Sequence, residues 1–321
     1  MPINPLRILN QDIPAGKTIL HLDIAKLHTG TPIDVPVIIQ RAKKDGPTLL
    51  LMAGIHGNEV NGVEIVRQLI RKKHNVPKAG SVICIPVVNV FGFLNMAREF
   101  PDGRDLNRVF PGTKTGSLAS RFAYHIMQEI IPHVDYVIDF HTGGDERFNY
   151  SQIRLDAMDA ESLELAIVFG TRFIMDSQNR TKSFRNSVTK LGKKVLLFEG
   201  GKTLDLDKNV TKSGISGTQR VMNYLGMSNQ KEIEIAPENP LLLSKTQWVR
   251  ASKSGMYRSH VTLGDFVIKG ELLGSISDPY GSTEYKIKAP NDGHIICSNH
   301  APLVNQGDAL MHISVESSQL T

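Results

Sequence analysis

The sequence predicts an α/β protein: a largely parallel or mixed sheet with helices on both faces, followed by a small C-terminal all-β unit. Three observations lead there. Between residues 46 and about 226, short apolar runs alternate with longer stretches of helical period. From about residue 243 onward no long helical pattern remains, and Gly-Asp pairs at 264–265 and 307–308 each precede a short strand candidate. The 321 residues suit two domains at roughly 150 residues each.

In chain order, residues 17–40 hold two alternating stretches, KTILHLDIAKLH and DVPVIIQRA, joined by Gly-Thr-Pro. They predict a hairpin on an edge of the sheet. Four runs then read as buried parallel strands: TLLLMAG (48–54), SVICIPVV (81–88), DYVIDFH (135–141) and KVLLFEG (194–200). Their apolarity is continuous rather than alternating, as suits strands covered on both faces. Glu59 to Lys73 places Val60, Val63, Val66 and Ile70 on one side of a helix. Ser117 to Ile131, after a Pro-Gly turn, predicts a second helix, and Asp159 to Gly170 and Gly217 to Leu225 predict two more. The proline-bearing segment 234–243 has no helical period and reads as the connection between domains at 1–235 and 236–321.

Composition narrows the function classes. Lys plus Arg is 37 and Asp plus Glu 32, a net charge of +5 that is too small over this length for a nucleic-acid footprint. Two cysteines exclude a disulfide scaffold. The opening MPINPLRILNQD lacks a charged region followed by an apolar run, so no secretory signal is expected. No apolar run approaches the ~18 residues of a membrane span. The expectation is a soluble protein of the reducing cytoplasm, with no nucleic-acid or membrane partner.

The chemistry gathers at strand ends. The first parallel strand stops in Gly54-Ile55-His56-Gly57-Asn58-Glu59 immediately before a helix, and ligands of open α/β sheets bind beyond the carboxyl ends of strands. Gly54 and Gly57 allow a tight turn. His141 ends another strand; if the two strands are neighbours, it meets His56 and Glu59 at one edge. Two imidazoles, one carboxylate and an open position make a catalytic zinc set, one ion per chain. Glu199 finishes the fourth strand, where a carboxylate near an activated water can take its proton and return it to a leaving nitrogen. Asp105-Leu106-Asn107-Arg108 is compact and polar, and Asn107 with Arg108 suits an anionic substrate group. Arg98 suits a developing oxyanion. Asp139, two residues before His141, shares its strand face and either orients a histidine or pairs with an arginine.

Together His56-Gly57-Asn58-Glu59, Asp105-Leu106-Asn107-Arg108, His141 and Glu199 resemble the succinylglutamate desuccinylase/aspartoacylase family, a branch of the zinc carboxypeptidase-like hydrolases, over roughly residues 46 to 226. The resemblance implies that His56, Glu59 and His141 hold one zinc, and that Glu199 is general base and then acid. It also implies that Asn107 and Arg108 bind the carboxylate of an amino-acid-like substrate and that Arg98 assists the polarised carbonyl. Members of that family cleave an acyl group, acetyl or succinyl, from a small N-acyl amino acid. The alternative is a zinc carboxypeptidase acting on peptide C-termini, which shares the same residues.

Residues 248–315 resemble a biotinyl/lipoyl-type barrel-sandwich hybrid, on Gly264-Asp265, Gly270, Ala289-Pro290, Gly293 and Gly307-Asp308. The hairpin tip falls at 278–282 and has no lysine, so neither biotin nor lipoate is expected. Such a unit suits a cap over the active-site face or a homo-oligomer contact. His260, His294, His300 and His312 lack ligand spacing and carry no second metal site. Trp248 suits the junction of the β unit with its neighbour.

Overall fold

The computed structural model describes residues 5–26, 29–230, 233, 236 and 240–320. The N-terminal region begins with strands β1 (Gly16–Lys26), β2 (Pro32–Arg41) and β3 (Thr48–Ala53), helix α1 (Val60–Arg71), strand β4 (Ser81–Ile85) and helices α2 (Val90–Leu94) and α3 (Leu118–Glu129). There follow β5 (Tyr136–Gly143), β6 (Arg147–Leu155), α4 (Ala160–Phe169), β7 (Phe173–Asp176), α5 (Phe184–Thr189), β8 (Lys194–Lys202) and α6 (Lys208–Tyr224). The C-terminal region adds β9 (Leu241–Arg250), β10 (Gly255–Ser259), β11 (Leu272–Ser277), β12 (Glu284–Lys288), β13 (Gly293–Asn299) and β14 (Ala309–Gln319).

The four apolar runs are β3, β4, β5 and β8, and each is parallel to its neighbour in the order β4–β3–β5–β8. β3 shows why they are continuously apolar. Leu49 and Leu51 pack with Ile65, Leu69 and Phe169 of α1 and α4, while Leu50 and Met52 pack with Phe122 and Ile126 of α3 on the opposite face. Both faces are therefore dry, and alternation has no polar side to serve. The β1–β2 hairpin is antiparallel and adds to the edge at β4.

Beyond β8 lie β6, antiparallel to it, and β7, parallel to β6. Neither is apolar enough to announce itself: β6 carries Asn149, Gln152 and Arg154, and β7 is four residues long. Helix α6 begins nine residues before the sequence pattern suggests. Its first turns hold Gly214 and Gly217, where an added Cβ would lie 2.4 Å from Ile65 and 2.3 Å from Phe169. Close helix packing replaces a bulky apolar stripe there.

The C-terminal β region is joined to the same sheet. β9 pairs in parallel with β7 through Leu241–Leu243 against Phe173–Met175, and β14 and β13 follow. β13 also pairs with β6, Cys297 opposite Asn149. A second, four-stranded sheet of β12, β11, β10 and Leu303–Val304 faces these strands. Between the two lies a separate apolar core containing Val249, Tyr257, Leu273, Ile276, Ile295 and Leu310. The turn at 278–282 joins β11 to β12 as expected, with Asp278 accepting from the Tyr280 and Ser282 amides. Half of the expected connection at 234–243 lies outside the described residues (234, 235 and 237–239).

Candidate active site

β3 and β5 are adjacent, so the turn after β3 and the end of β5 share one edge. Gly54 turns the chain at φ +67°, a left-handed value that glycine adopts at little cost. Gly57 serves another purpose: an added Cβ would lie 1.9 Å from the Gly92 backbone of α2. That turn delivers His56, and Glu59 sits at the N-cap of α1 with its carboxylate directed away from the helix amides. The helix N-terminus still favours the negative charge.

His56, Glu59 and His141 are all buried, and their candidate ligand atoms lie within 4.8 Å of one another. His56 Nδ1 is 2.7 Å from Glu59 Oε1, and His141 Nδ1 is 2.8 Å from Oε2. The far nitrogens are engaged as well. His56 Nε2 lies 3.0 Å from Asp105, and His141 Nε2 lies 3.1 Å from Asp139. A carboxylate on Nε2 fixes the tautomer that leaves the Nδ1 lone pair free to ligate. This donor set fits a divalent cation of zinc type: two neutral imidazoles, one carboxylate and a carboxylate behind each imidazole. Among the described residues no other such group of three occurs, and the C-terminal histidines form none.

Electrostatics agree with a site built for positive charge. Burial drives the Glu59 carboxyl upward, but His56 and His141 outweigh it and hold the group far below the usual carboxylate range. Burial drives His141 downward, but Asp139 and Glu59 outweigh it and raise it well above 6.5. His56 is raised in the same way by Glu59 and Asp105. Three carboxylates thus face two imidazoles, an arrangement whose net negative charge favours a cation held among them.

Glu199 is the direct register partner of His141 across β8 and β5, so the two side chains share a face. Its Oε2 accepts from Asn149 Nδ2 at 2.8 Å, and Arg154 lies 3.6 Å from Oε1. Asp105 caps a short turn by accepting from the Asn107 amide, and it also receives Arg98 through Nε at 3.2 Å and Nη2 at 2.8 Å. Arg98 Nη1 reaches Glu59 Oε1 at 3.3 Å. All three nitrogens of Arg98 therefore address carboxylates, and one N–H on each of Nη1 and Nη2 is left over for a further acceptor. Asn107 Oδ1 accepts from the Phe184 amide at 2.8 Å, which leaves its NH2 for a ligand. Arg108 donates to the Asn107 carbonyl at 2.7 Å and has no carboxylate partner among the described residues.

His56, Glu59, Arg98, Asn107, Arg108, His141 and Glu199 line one cavity of about 380 Å3, within the range of small-molecule sites. Of the two readings of Asp139, the structure has the histidine partner. Sequence reasoning missed the cavity's basic wall. Arg147, Arg154, Arg180 and Arg185 join Arg98 and Arg108, six guanidinium groups against the acidic Glu59, Asp139, Asp145 and Glu199. Arg185 is buried and donates to the Ser177 and Gln178 carbonyls; burial, with Arg154 adding to it, lowers it to about 10. The signal available was the polar, basic run SQNRTKSFR (177–185), which has no periodicity. Trp248 and Cys297 of the C-terminal region also line the cavity.

Comparison with known proteins places these features in context. The succinylglutamate desuccinylase/aspartoacylase catalytic domain matches residues 45–225. The chain is 27% identical over 296 residues to the N-alpha-acetyl-L-2,4-diaminobutyric acid deacetylase of Halomonas elongata, covering 87% of this chain and 85% of that one. A succinylglutamate desuccinylase/aspartoacylase structure from Rhodobacter sphaeroides shares the fold, with TM-score 0.81 at 23% identity over 94% of this chain and 97% of that one. So does the product-bound ectoine utilization protein of Ruegeria pomeroyi, with TM-score 0.82 at 21% identity over 98% and 99%.

Proposed function

The chain belongs to the succinylglutamate desuccinylase/aspartoacylase family, and we propose that it is a zinc-dependent amidohydrolase that removes the acyl group, acetyl or succinyl, from a small N-acyl amino acid. One observation carries this reading. His56, Glu59 and His141 converge in a buried cluster, each imidazole is backed by its own carboxylate, and Glu199 is on the same face of the adjacent strand. The Halomonas elongata deacetylase, a relative across most of both chains, supports the substrate class. The basic wall supports an anionic substrate.

His56, Glu59 and His141 would hold the zinc, which when bound would supply a Lewis acid for the scissile carbonyl and lower the pKa of a water toward neutrality. Glu199 takes the proton of the attacking water and returns it to the departing nitrogen. The Asn149 amide fixes one Glu199 oxygen, and the other, 3.6 Å from Arg154, moves the proton. Asn107 and Arg108 hold the substrate carboxylate through an amide NH2 and a planar fork. Arg98 pairs with Asp105 and Glu59 and keeps further N–H groups with which to assist the polarised carbonyl.

A cavity of about 380 Å3 walled by Trp248 and Cys297 suits a small amide better than a peptide. We read the C-terminal region as a barrel-sandwich unit without a carrier lysine that caps this face, and leave homo-oligomer formation to hydrodynamic measurement. Buried, unpaired Cys84 and Cys297 fit a reducing cytoplasm. The test is an amine-release screen of the zinc-loaded protein over N-acetyl, N-succinyl and N-formyl amino acids and short peptides. Release of free amine from N-acyl amino acids is expected. Turnover of peptides alone would replace this reading with a carboxypeptidase.

A further inference from the structure

Trp248 is the single tryptophan of the chain. It lies on β9, yet it lines the cavity that holds His56, Glu59, His141 and Glu199. Its indole lies flat on the His312 imidazole, with ring centroids 4.3 Å apart and planes 4° apart. The two residues face each other across the β9–β14 pair, and His312 is buried. Burial, with the Arg154 charge adding to it, pushes His312 down to about 3, so both stacked rings are neutral at physiological pH. The start of β9 is pinned to the central sheet by Leu241–Leu243. The indole is therefore a rigidly mounted flat surface rather than a mobile side chain.

The position of this surface along the cavity follows from its neighbours. Asn149, which donates to Glu199, is the register partner of Cys297; Cys297 is paired in turn with His312, and His312 with Trp248. The C-terminal wall thus adjoins the Glu199 side of the cavity. Leu197, Trp248 and Cys297 are the larger apolar faces in a lining otherwise dominated by ions, amides, hydroxyls and glycines. Methylene groups gain most by burial there.

We propose that Trp248 is the specificity-determining wall of the subsite for the amino-acid side chain: side-chain methylenes pack on the indole, and the indole limits how long that side chain is. This rests on the deacylase reading, in which Glu199 protonates the departing nitrogen and so stands beside the amino-acid half of the substrate rather than the acyl half. The C-terminal region then supplies part of the specificity of a reaction whose proposed metal ligands and base all come from elsewhere.

The experiment uses the full-length, zinc-loaded chain and two homologous series. One lengthens the side chain, from N-acetylalanine through N-acetyl-2-aminobutyrate and N-acetylnorvaline to N-acetylnorleucine. The other lengthens the acyl group on one amino acid, from acetyl through propionyl to butyryl. In the unmodified protein each side-chain methylene beyond the optimum lowers kcat/KM by about tenfold. Trp248→Ala moves the side-chain optimum to a longer member and leaves the order of the acyl series unchanged, which a general loss of structure would not do. Trp248→Phe, which keeps a flat ring, retains the original optimum. Saturating the unmodified protein with the released amino acid shifts or quenches the emission of its single tryptophan. An unchanged side-chain profile in Trp248→Ala, or a profile that moves equally in both series, overturns the inference, as does unaltered emission under ligand saturation shown by calorimetry. Failure of the unmodified chain to hydrolyse any member overturns the deacylase reading instead, and this inference with it.

Discussion

Replacing Asp139 with asparagine separates the charge behind His141 from the hydrogen bond it makes. Asp139 Oδ2 is 3.1 Å from His141 Nε2, and the carboxylate is buried, its Oδ1 without a hydrogen-bond partner among the described residues. An asparagine oxygen still accepts from Nε2–H, so the ligating tautomer survives while the negative charge is lost. Partners of this kind are worth about ten- to a hundredfold in metal affinity, or about 1.4 to 2.7 kcal/mol. The buried location of Asp139 puts Asp139→Asn toward the upper end, because little solvent screens the charge. Asp105, behind His56, has a side chain 22% exposed and shares its charge with Arg98. Asp105→Asn belongs toward the lower end. Competition against a chromogenic chelator at fixed pH gives both affinities. Unchanged zinc affinity in both variants, with the fold intact, would refute the assignment of these carboxylates as supports of metal ligands.

Other expectations follow from the same geometry. Glu199→Gln keeps the zinc and lowers kcat by about 10²- to 10⁴-fold; full turnover in a zinc-replete variant would remove Glu199 from the proton path. Arg108→Ala removes a charged hydrogen-bond donor worth about 1.5 to 3 kcal/mol, so KM for an N-acyl amino acid rises by about ten- to a hundredfold, and Arg108→Lys restores little because the planar fork is lost. His312 has a folded pKa of about 3 against about 6.5 in an unfolded chain, so the unfolded state binds the extra proton between those values. Stability is therefore lost as pH falls below 6.5, by about 1 kcal/mol per unit from this group. Thermal melts of His312→Phe from pH 4 to 7 should show a shallower acid limb than the unmodified protein; identical limbs would contradict a neutral, buried imidazole.

What could be read from the sequence, and what could not, has a physical pattern. The four parallel strands were legible because both of their faces are dry. His56, Glu59, His141 and Glu199 were legible because each sits at or near the end of such a strand or the start of the next helix, where polar residues stand out against apolar runs. β6 was illegible for the opposite reason: Asn149 and Arg154 interrupt its apolarity in order to line the cavity. Arg180 and Arg185 belong to a stretch without period, and only the fold brings them to the site. The DLNR segment showed its composition but not the contact of Asp105 with the Nε2 of His56, which lies 49 residues earlier in the chain. The reach of Trp248 into the cavity depends on β9 joining the central sheet beside a four-residue strand, a pairing that local sequence does not encode.

The central claim is that His56, Glu59 and His141 grip one metal ion on which amide hydrolysis depends. The direct measurement is zinc titration of metal-stripped protein, following bound metal and amine release together, in the unmodified chain and in Glu59→Gln. Bound zinc and activity should rise in parallel and saturate at one ion per chain, and Glu59→Gln should lose both. Full activity in the stripped protein, or undiminished zinc binding in Glu59→Gln, would contradict it.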